Sequence, residues 1–237
     1  MQLSNIIPIF RRELRSYFNS PVAYVFIVVF LAFIGWFFTS NLFLANLATM
    51  QVVFSLIPVA FLIFVPAMTM RLLAEEKKTG TLELLTTKPV RDIEIVLGKF
   101  LAAWALLAAT LFPTLAYVIT LVSLGKLDVG PVITGYVGLL LMGGVYIGIG
   151  LLASSLTENQ IIALILSFLM VLALFMADKV LIYMPEGFAT TLEFLGVDYH
   201  FSNIARGVID SRDIIYFGSL MGFSLMLATV SLERRKW

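Results

Sequence analysis

The chain has 237 residues, of which 60% are hydrophobic and only 13% charged. Soluble domains run about 45–50% apolar and about 25% charged, so this composition excludes a sizeable water-soluble domain and calls for a bilayer. A net charge of +1 gives no electrostatic case for a nucleic-acid partner, and the absence of cysteine excludes disulfides, thiolate metal sites and cysteine nucleophiles.

The first predicted element covers residues 1–20. Leu3, Ile6, Ile7, Phe10, Leu14, Tyr17 and Phe18 recur at helical spacing around Arg11, Arg12, Glu13 and Arg15. That period predicts an amphipathic elbow helix lying in the membrane surface. It does not fit a signal peptide, whose charges precede the apolar run.

Six apolar runs of spanning length follow. They extend from about Val22 to Leu44, Val52 to Met70, Ile95 to Leu124, Val132 to Ala153, Ile161 to Tyr183 and Ile214 to Leu232. Pro58 and Pro66 interrupt the second, and Pro113 is expected to kink the third. The fold class is therefore an all-α polytopic membrane protein, a single transmembrane domain over residues 1–237. Six spans place both termini on one side. Putting that side in the cytoplasm leaves only Lys126, Lys179, Arg206 and Arg212, of 16 Lys and Arg, outside. The positive-inside rule then gives N-in and C-in.

Three connections carry information. Thr157 and Gln160, three residues apart, read as a capping box opening the fifth span. The outer segment, residues 184–213, mixes apolar and charged side chains and is expected to form short re-entrant or interfacial helices. The cytoplasmic loop, residues 71–92, is the longest polar insert in the chain. The second span is expected to continue through Glu75 and Glu76 and to break at Lys77–Gly80. Gly80 or Thr81 then caps a two-turn helix with Glu83 in its first turn, Leu82, Leu84 and Leu85 on its apolar face and Pro89 at its end, and Asp92 caps the third span. A helix that short does not persist alone in water, so it must dock on something.

The usual chemistry is missing. Gly98-Lys99 and Gly125-Lys126 lack the flanking residues of a phosphate loop, and no HExxH or GxSxG is present. His200 reads as a polar surface or interface residue, and Asp178 and Lys179 as the water-facing end of the fifth span. No charged residue lies at mid-span, where ion-driven carriers need carboxylates or histidines. Gly144 and Gly148 form a GxxxG pair for close helix packing, with a moving or dimer-forming surface as the sharper reading.

The string EEKKTGTLELLTTKP, Glu75 to Pro89, resembles the signature of ABC-2 type exporter permeases: an acidic pair, basic residues, Gly-Thr, Glu, Leu-Leu and Pro. The elbow, the six spans and the outer segment agree in order. The run Arg12-Glu13-Leu14 through Phe18-Asn19-Ser20-Pro21 is closest to gliding-motility-associated permeases, and nitrous-oxide-reductase maturation permeases look similar too. The resemblance implies a permease subunit of an ATP-driven exporter in the bacterial inner membrane. Its coupling helix around Thr79 to Thr87 would enter a cleft on a separate ABC-type ATPase, with Glu75 and Glu76 facing basic residues there. It implies a second permease copy, an auxiliary subunit with an extracytoplasmic domain, and no cofactor or ATPase site in this chain, since ATP and Mg would sit on the partner. Two other readings remain open: a non-transporting scaffold that passes ATPase-driven motion to an outer partner, and a secondary carrier, which the lack of mid-span acids disfavours.

Overall fold

Helix starts are set by local chemistry in this computed structural model, which describes residues 5–44, 49–81, 90–125, 127–179 and 194–234. α1 covers Ile6–Asn19 and α2 covers Pro21–Leu44, the latter opening on a proline whose fixed φ suits a first helical turn. α3 covers Gln51–Thr69 and α4 Ala74–Lys78. α5, Asp92–Leu111, passes through one 3-10 turn, Phe112–Thr114, into α6, Leu115–Leu124. That turn holds Pro113, where the sequence placed a kink. α7 is Val129–Leu156, capped by the Asp128 side chain on the Gly130 N–H. α8 is Gln160–Met176, α9 is Val197–Ala205 and α10 is Ser211–Glu233, capped by Asp210.

Among the described residues, five stretches are long and apolar enough to cross a membrane: Pro21–Phe43, Gln51–Lys78, Asp92–Leu124, Val129–Leu156 and Ser211–Glu233. The expected fifth span appears as α8, an apolar helix of 17 residues. At 1.5 Å per residue it covers about 25 Å, short of a hydrocarbon core of about 30 Å. Residues 180–183, where that span was expected to end, lie outside the described residues.

α7 is the axis of the bundle: 83% of its most apolar stretch is buried, and α3, α5, α8, α9 and α10 all pack on it. Its glycines make this possible. A Cβ at Gly144 would stand 2.6 Å from the Met221 sulfur, and one at Gly148 would stand 3.2 Å from Ser224 Cβ. The GxxxG pair therefore faces α10 of the same chain. The outer surfaces of the peripheral helices are apolar, with Trp36 and Phe43 each 73% exposed. Exposed apolar area on this scale suits lipid contact.

Two expected features differ. α3 does not run unbroken into the loop; it ends at Thr69, and a turn at Met70–Leu73 separates it from α4. Asn159, rather than Thr157 with Gln160, caps α8 through its side chain on the Ile161 N–H (2.9 Å), while Thr157 Oγ1 accepts from the Asn159 N–H (3.1 Å). Asn is among the strongest N-cap residues, and here it sits two residues closer to the helix than the threonine does.

Candidate functional site

One end of the bundle, here called the base, brings together α1, α4, the start of α5 and the ends of α7 and α10. α4 is the root of the polar loop, and α1, α5 and α7 hold it.

The first hold is a serine. Ser154, near the end of α7, accepts hydrogen bonds from the backbone N–H groups of Leu73 (3.0 Å) and Ala74 (2.9 Å) and donates to the Met70 carbonyl (3.0 Å). One hydroxyl thus satisfies the backbone groups freed where α3 breaks. Leu73, Ala74 and Ser154 are fully buried, so no water can replace it. Next to it, Lys77 Nζ donates to the Ser155 carbonyl, which also accepts from Ser231 Oγ of α10 at 3.2 Å. Ser154→Ala would strand two buried N–H donors, costing about 2–3 kcal/mol. The expected outcome is a lower unfolding midpoint in detergent and faster protease cleavage within residues 71–92, with Ser154→Thr close to wild type.

The second hold is ionic. Lys99 Nζ of α5 lies 2.9 Å from Glu76 of α4 and 3.3 Å from Glu13 of α1. Arg12 completes the cluster, 2.8 Å from Glu13 and 3.4 Å from Glu76. Two cations and two carboxylates balance, which allows Lys99 to be only 1% exposed. The ring of contacts joins α1, α4 and α5. α1 is pinned further by Asn5, whose N–H (3.3 Å) and side-chain amide (3.1 Å) both donate to Glu94. Glu94 also accepts from the Arg91 N–H at 2.9 Å. That is the cap of α5, a role the sequence assigned to Asp92. Ile9 fills the space over Gly98, where a Cβ would stand 2.6 Å from its Cγ2. Beside the cluster, burial raises the Tyr17 phenol well above its ordinary range, with Glu13 adding to the effect and Arg71 opposing it. Its hydroxyl stays protonated at any working pH.

The predicted loop residues therefore divide. Glu75 is paired with Arg71 along the α4 surface (2.8 Å). Glu76 turns inward to Lys99 and Arg12. Thr79 closes α4, its hydroxyl donating to the Glu75 carbonyl (2.9 Å) and meeting Thr81 Oγ1 at 2.9 Å. Gly80 has φ +68°, a left-handed conformation that glycine adopts without strain. Leu82, Glu83, Leu84, Leu85 and Pro89 lie outside the described residues. Arg12, Glu13, Lys99 and Ser154 escaped the sequence reading. The available signal was Lys99 itself, a lone charge in the apolar run that follows Glu94.

At the far end, α9 is locked to its neighbours. Its apolar face, Val197, Phe201 and Ile204, is buried, and Phe201 and Ile204 lie over Gly138 of α7. Lys179 pairs with Asp198 at 2.7 Å and sits 4.6 Å over the Phe175 ring, so the charged end of α8 grips α9 rather than water alone. His200 is not a surface residue. It is 1% exposed, 2.6 Å from Asp213 of α10 through Nδ1 and 3.0 Å from the Phe194 carbonyl through Nε2, and it stacks on Tyr216. Burying the α9 apolar face carried it inside, and Asp213 supplies its partner.

A comparison with curated proteins finds no match. A family model does match, described as ABC-2 family transporter protein, and it covers residues 7–232. Nearly the whole chain is included, from α1 to the last turn of α10, and this multi-pass membrane protein belongs to the ABC-2 transporter family.

Proposed function

We propose that the chain is the membrane-spanning permease subunit of an ATP-driven exporter, working with a separate ABC-type ATPase that binds the ATP and Mg. The observation that carries the reading is the root of the loop. α4 and the turn before it are fastened to α1, α5 and α7 by Arg12, Lys99, Ser154 and Ser155, and Ser231 of α10 shares the Ser155 carbonyl. A push on residues 79–87 would reach three elements of the bundle at once through these contacts. Family membership supports the ATPase partner and the lack of an ATPase site in this chain. In this reading Leu82, Leu84 and Leu85 seat in the ATPase cleft, Glu83 and Glu75 meet its basic rim, and Glu76 holds the root in place.

The setting is the bacterial inner membrane, N-in and C-in. A second permease copy completes the pathway, an auxiliary subunit with an extracytoplasmic domain can join it, and the run Arg12 to Pro21 is what aligns the chain with the gliding-motility-associated permeases. The locked far end gives the scaffold alternative its own support, since α9 would deliver motion outward as a rigid part. Bulky side chains on the dimer axis separate the two: an exporter would stall and a scaffold would not.

The decisive test is purification from membranes with the ATPase. Leu84→Asp removes an apolar anchor worth about 2 kcal/mol and is expected to weaken ATPase association roughly 30-fold while the unfolding midpoint stays unchanged. Normal ATP hydrolysis and transport after scrambling residues 79–87 would sink the proposal.

A further inference from the structure

The polar side of α1 carries three arginines, and the ionic cluster uses only one. Arg12 is committed to Glu13 and Glu76. Arg11 and Arg15 are exposed and have no ion pair among the described residues. Four residues apart, they project side by side from one helix face, about 5–6 Å between Cβ atoms. With Pro8, Arg12, Ser16 and Asn19 they line a shallow, open polar surface.

The other sectors of α1 say what this surface faces. One sector is spent inside the protein: Ile9 over Gly98, Tyr17 with its hydroxyl buried, Asn5 on Glu94. The next sector is apolar and remains uncovered or half-covered, with Ile7 60% exposed and Phe10, Leu14 and Phe18 partly so. Phe18 meets Tyr24 of α2 edge-on at 6.1 Å, and Tyr24, Val25 and Val28 are exposed on the lipid side of that span. The apolar sector of α1 is therefore continuous with the lipid-facing surface of α2. Arg11 and Arg15 border that sector on the helical wheel, which puts their guanidinium groups at the level of lipid headgroups.

We infer that Arg11 and Arg15 form a binding site for the phosphate of an anionic phospholipid at the α1–α2 elbow. Guanidinium groups match phosphate oxygens with paired, charge-assisted hydrogen bonds, and two neighbouring ones can take a single phosphodiester between them. The fatty chains would lie along the exposed apolar faces of α1 and α2. A lipid seated there holds α1 down from the membrane side while Glu13 and Asn5 hold it from the protein side. This site is independent of what the chain transports and of any ATPase.

The test uses the full-length chain, with whatever subunits come with it, titrated in neutral detergent with short-chain phosphatidylglycerol or phosphatidylcholine. Basic side chains beside an anionic surface each contribute about fivefold, so R11Q/R15Q is expected to weaken phosphatidylglycerol binding about 30-fold. R11K/R15K should keep most of it, R206Q/R212Q at the far end all of it, which separates a local site from general loss of positive charge, and an unchanged unfolding midpoint of R11Q/R15Q excludes misfolding as the cause. The proposal is overturned if wild type shows no preference for phosphatidylglycerol, or if R11Q/R15Q binds it as well as wild type does. Two further results would also overturn it: inorganic phosphate displacing the lipid at equal concentration, which makes the site one for free phosphate, or a variant that loses a co-purifying subunit while keeping its lipid.

Discussion

Lys99→Met is expected to lower stability by about 3 kcal/mol, because it strips the shared cation from two carboxylates that the fold has drawn together. Lys99 is 1% exposed, while Glu13 and Glu76 keep 15% and 18% of their side-chain surface. Residual water at the two carboxylates holds the cost toward the lower end of the range for broken buried pairs, about 3–5 kcal/mol. For a chain of this size that corresponds to an unfolding midpoint lower by roughly 6–12 °C. The cost comes from the stranded charge, and this sets a sharp control. In the triple variant K99M/E13Q/E76Q no carboxylate is stranded, and Arg12 is exposed enough to return to solvent. That protein should regain most of the lost midpoint. If Lys99→Met and the triple variant unfold at the same temperature, packing and not charge is what Lys99 supplies. The functional signature should differ from the thermal one. Both variants lose the Lys99–Glu76 tie between α5 and α4, so both should transmit motion from the loop poorly even when the triple variant is stable.

The helices were legible in the sequence because each apolar run is long and bounded by a residue with a local reason to stop or start a helix. Pro21, Asp128 and Asp210 each act within two residues of where they sit. Pro113 did the same for the break in the third span. Features set from a distance were not legible. The end of α3 depends on Ser154, more than 80 residues further along the chain. Strong helix formers at Leu72–Glu76 favoured continuation, and tertiary hydrogen bonding overrode them. His200 looked like a polar surface residue because nothing near it in sequence announces Asp213 as a partner. The acidic pair Glu75 and Glu76 is two neighbours on a helix, some 100° apart, and only the position of α5 decides that one faces out and the other in. Lys99 was counted for orientation, where its charge matters, and its burial could not be read without the carboxylates of two other helices. Of the loop, Glu75 through Thr81 can be placed, while Leu82–Leu85 and Pro89, outside the described residues, stand on the family resemblance.

Gly150→Leu is expected to be the most damaging single change in the α7 axis. A Cβ at this position would overlap the Thr69 side chain, lying within 2.6 Å of its Cβ and 3.0 Å of its Cγ2. Thr69 has nowhere to go. It is fully buried, it is the last residue of α3, and its hydroxyl is bonded to the Val65 carbonyl at 2.9 Å. Overpacking a close helix contact costs about 1–3 kcal/mol when a flexible side chain can yield, and the upper end or beyond when it cannot. Here α3 and α7 must separate, about 3 kcal/mol or more. The damage would not stay local, because Ser154 stands four residues further along α7, on the same face, with its hydrogen bonds into the α3–α4 turn. Moving α3 outward should release Leu73 and Ala74 from Ser154 and free the root of the loop. Gly222 on α10 provides the contrast, since a Cβ there meets nothing within 4 Å. Gly222→Ala should be neutral or raise stability by up to about 1 kcal/mol, through helix propensity alone. Thermal unfolding in detergent, with hydrogen exchange at the Leu73 and Ala74 amides, reads both effects. Gly150→Leu should lower the midpoint and speed exchange at those two amides, and Gly222→Ala should do neither. Unchanged exchange in Gly150→Leu would mean that the root of the loop is held by Lys99 and Arg12 without help from α7.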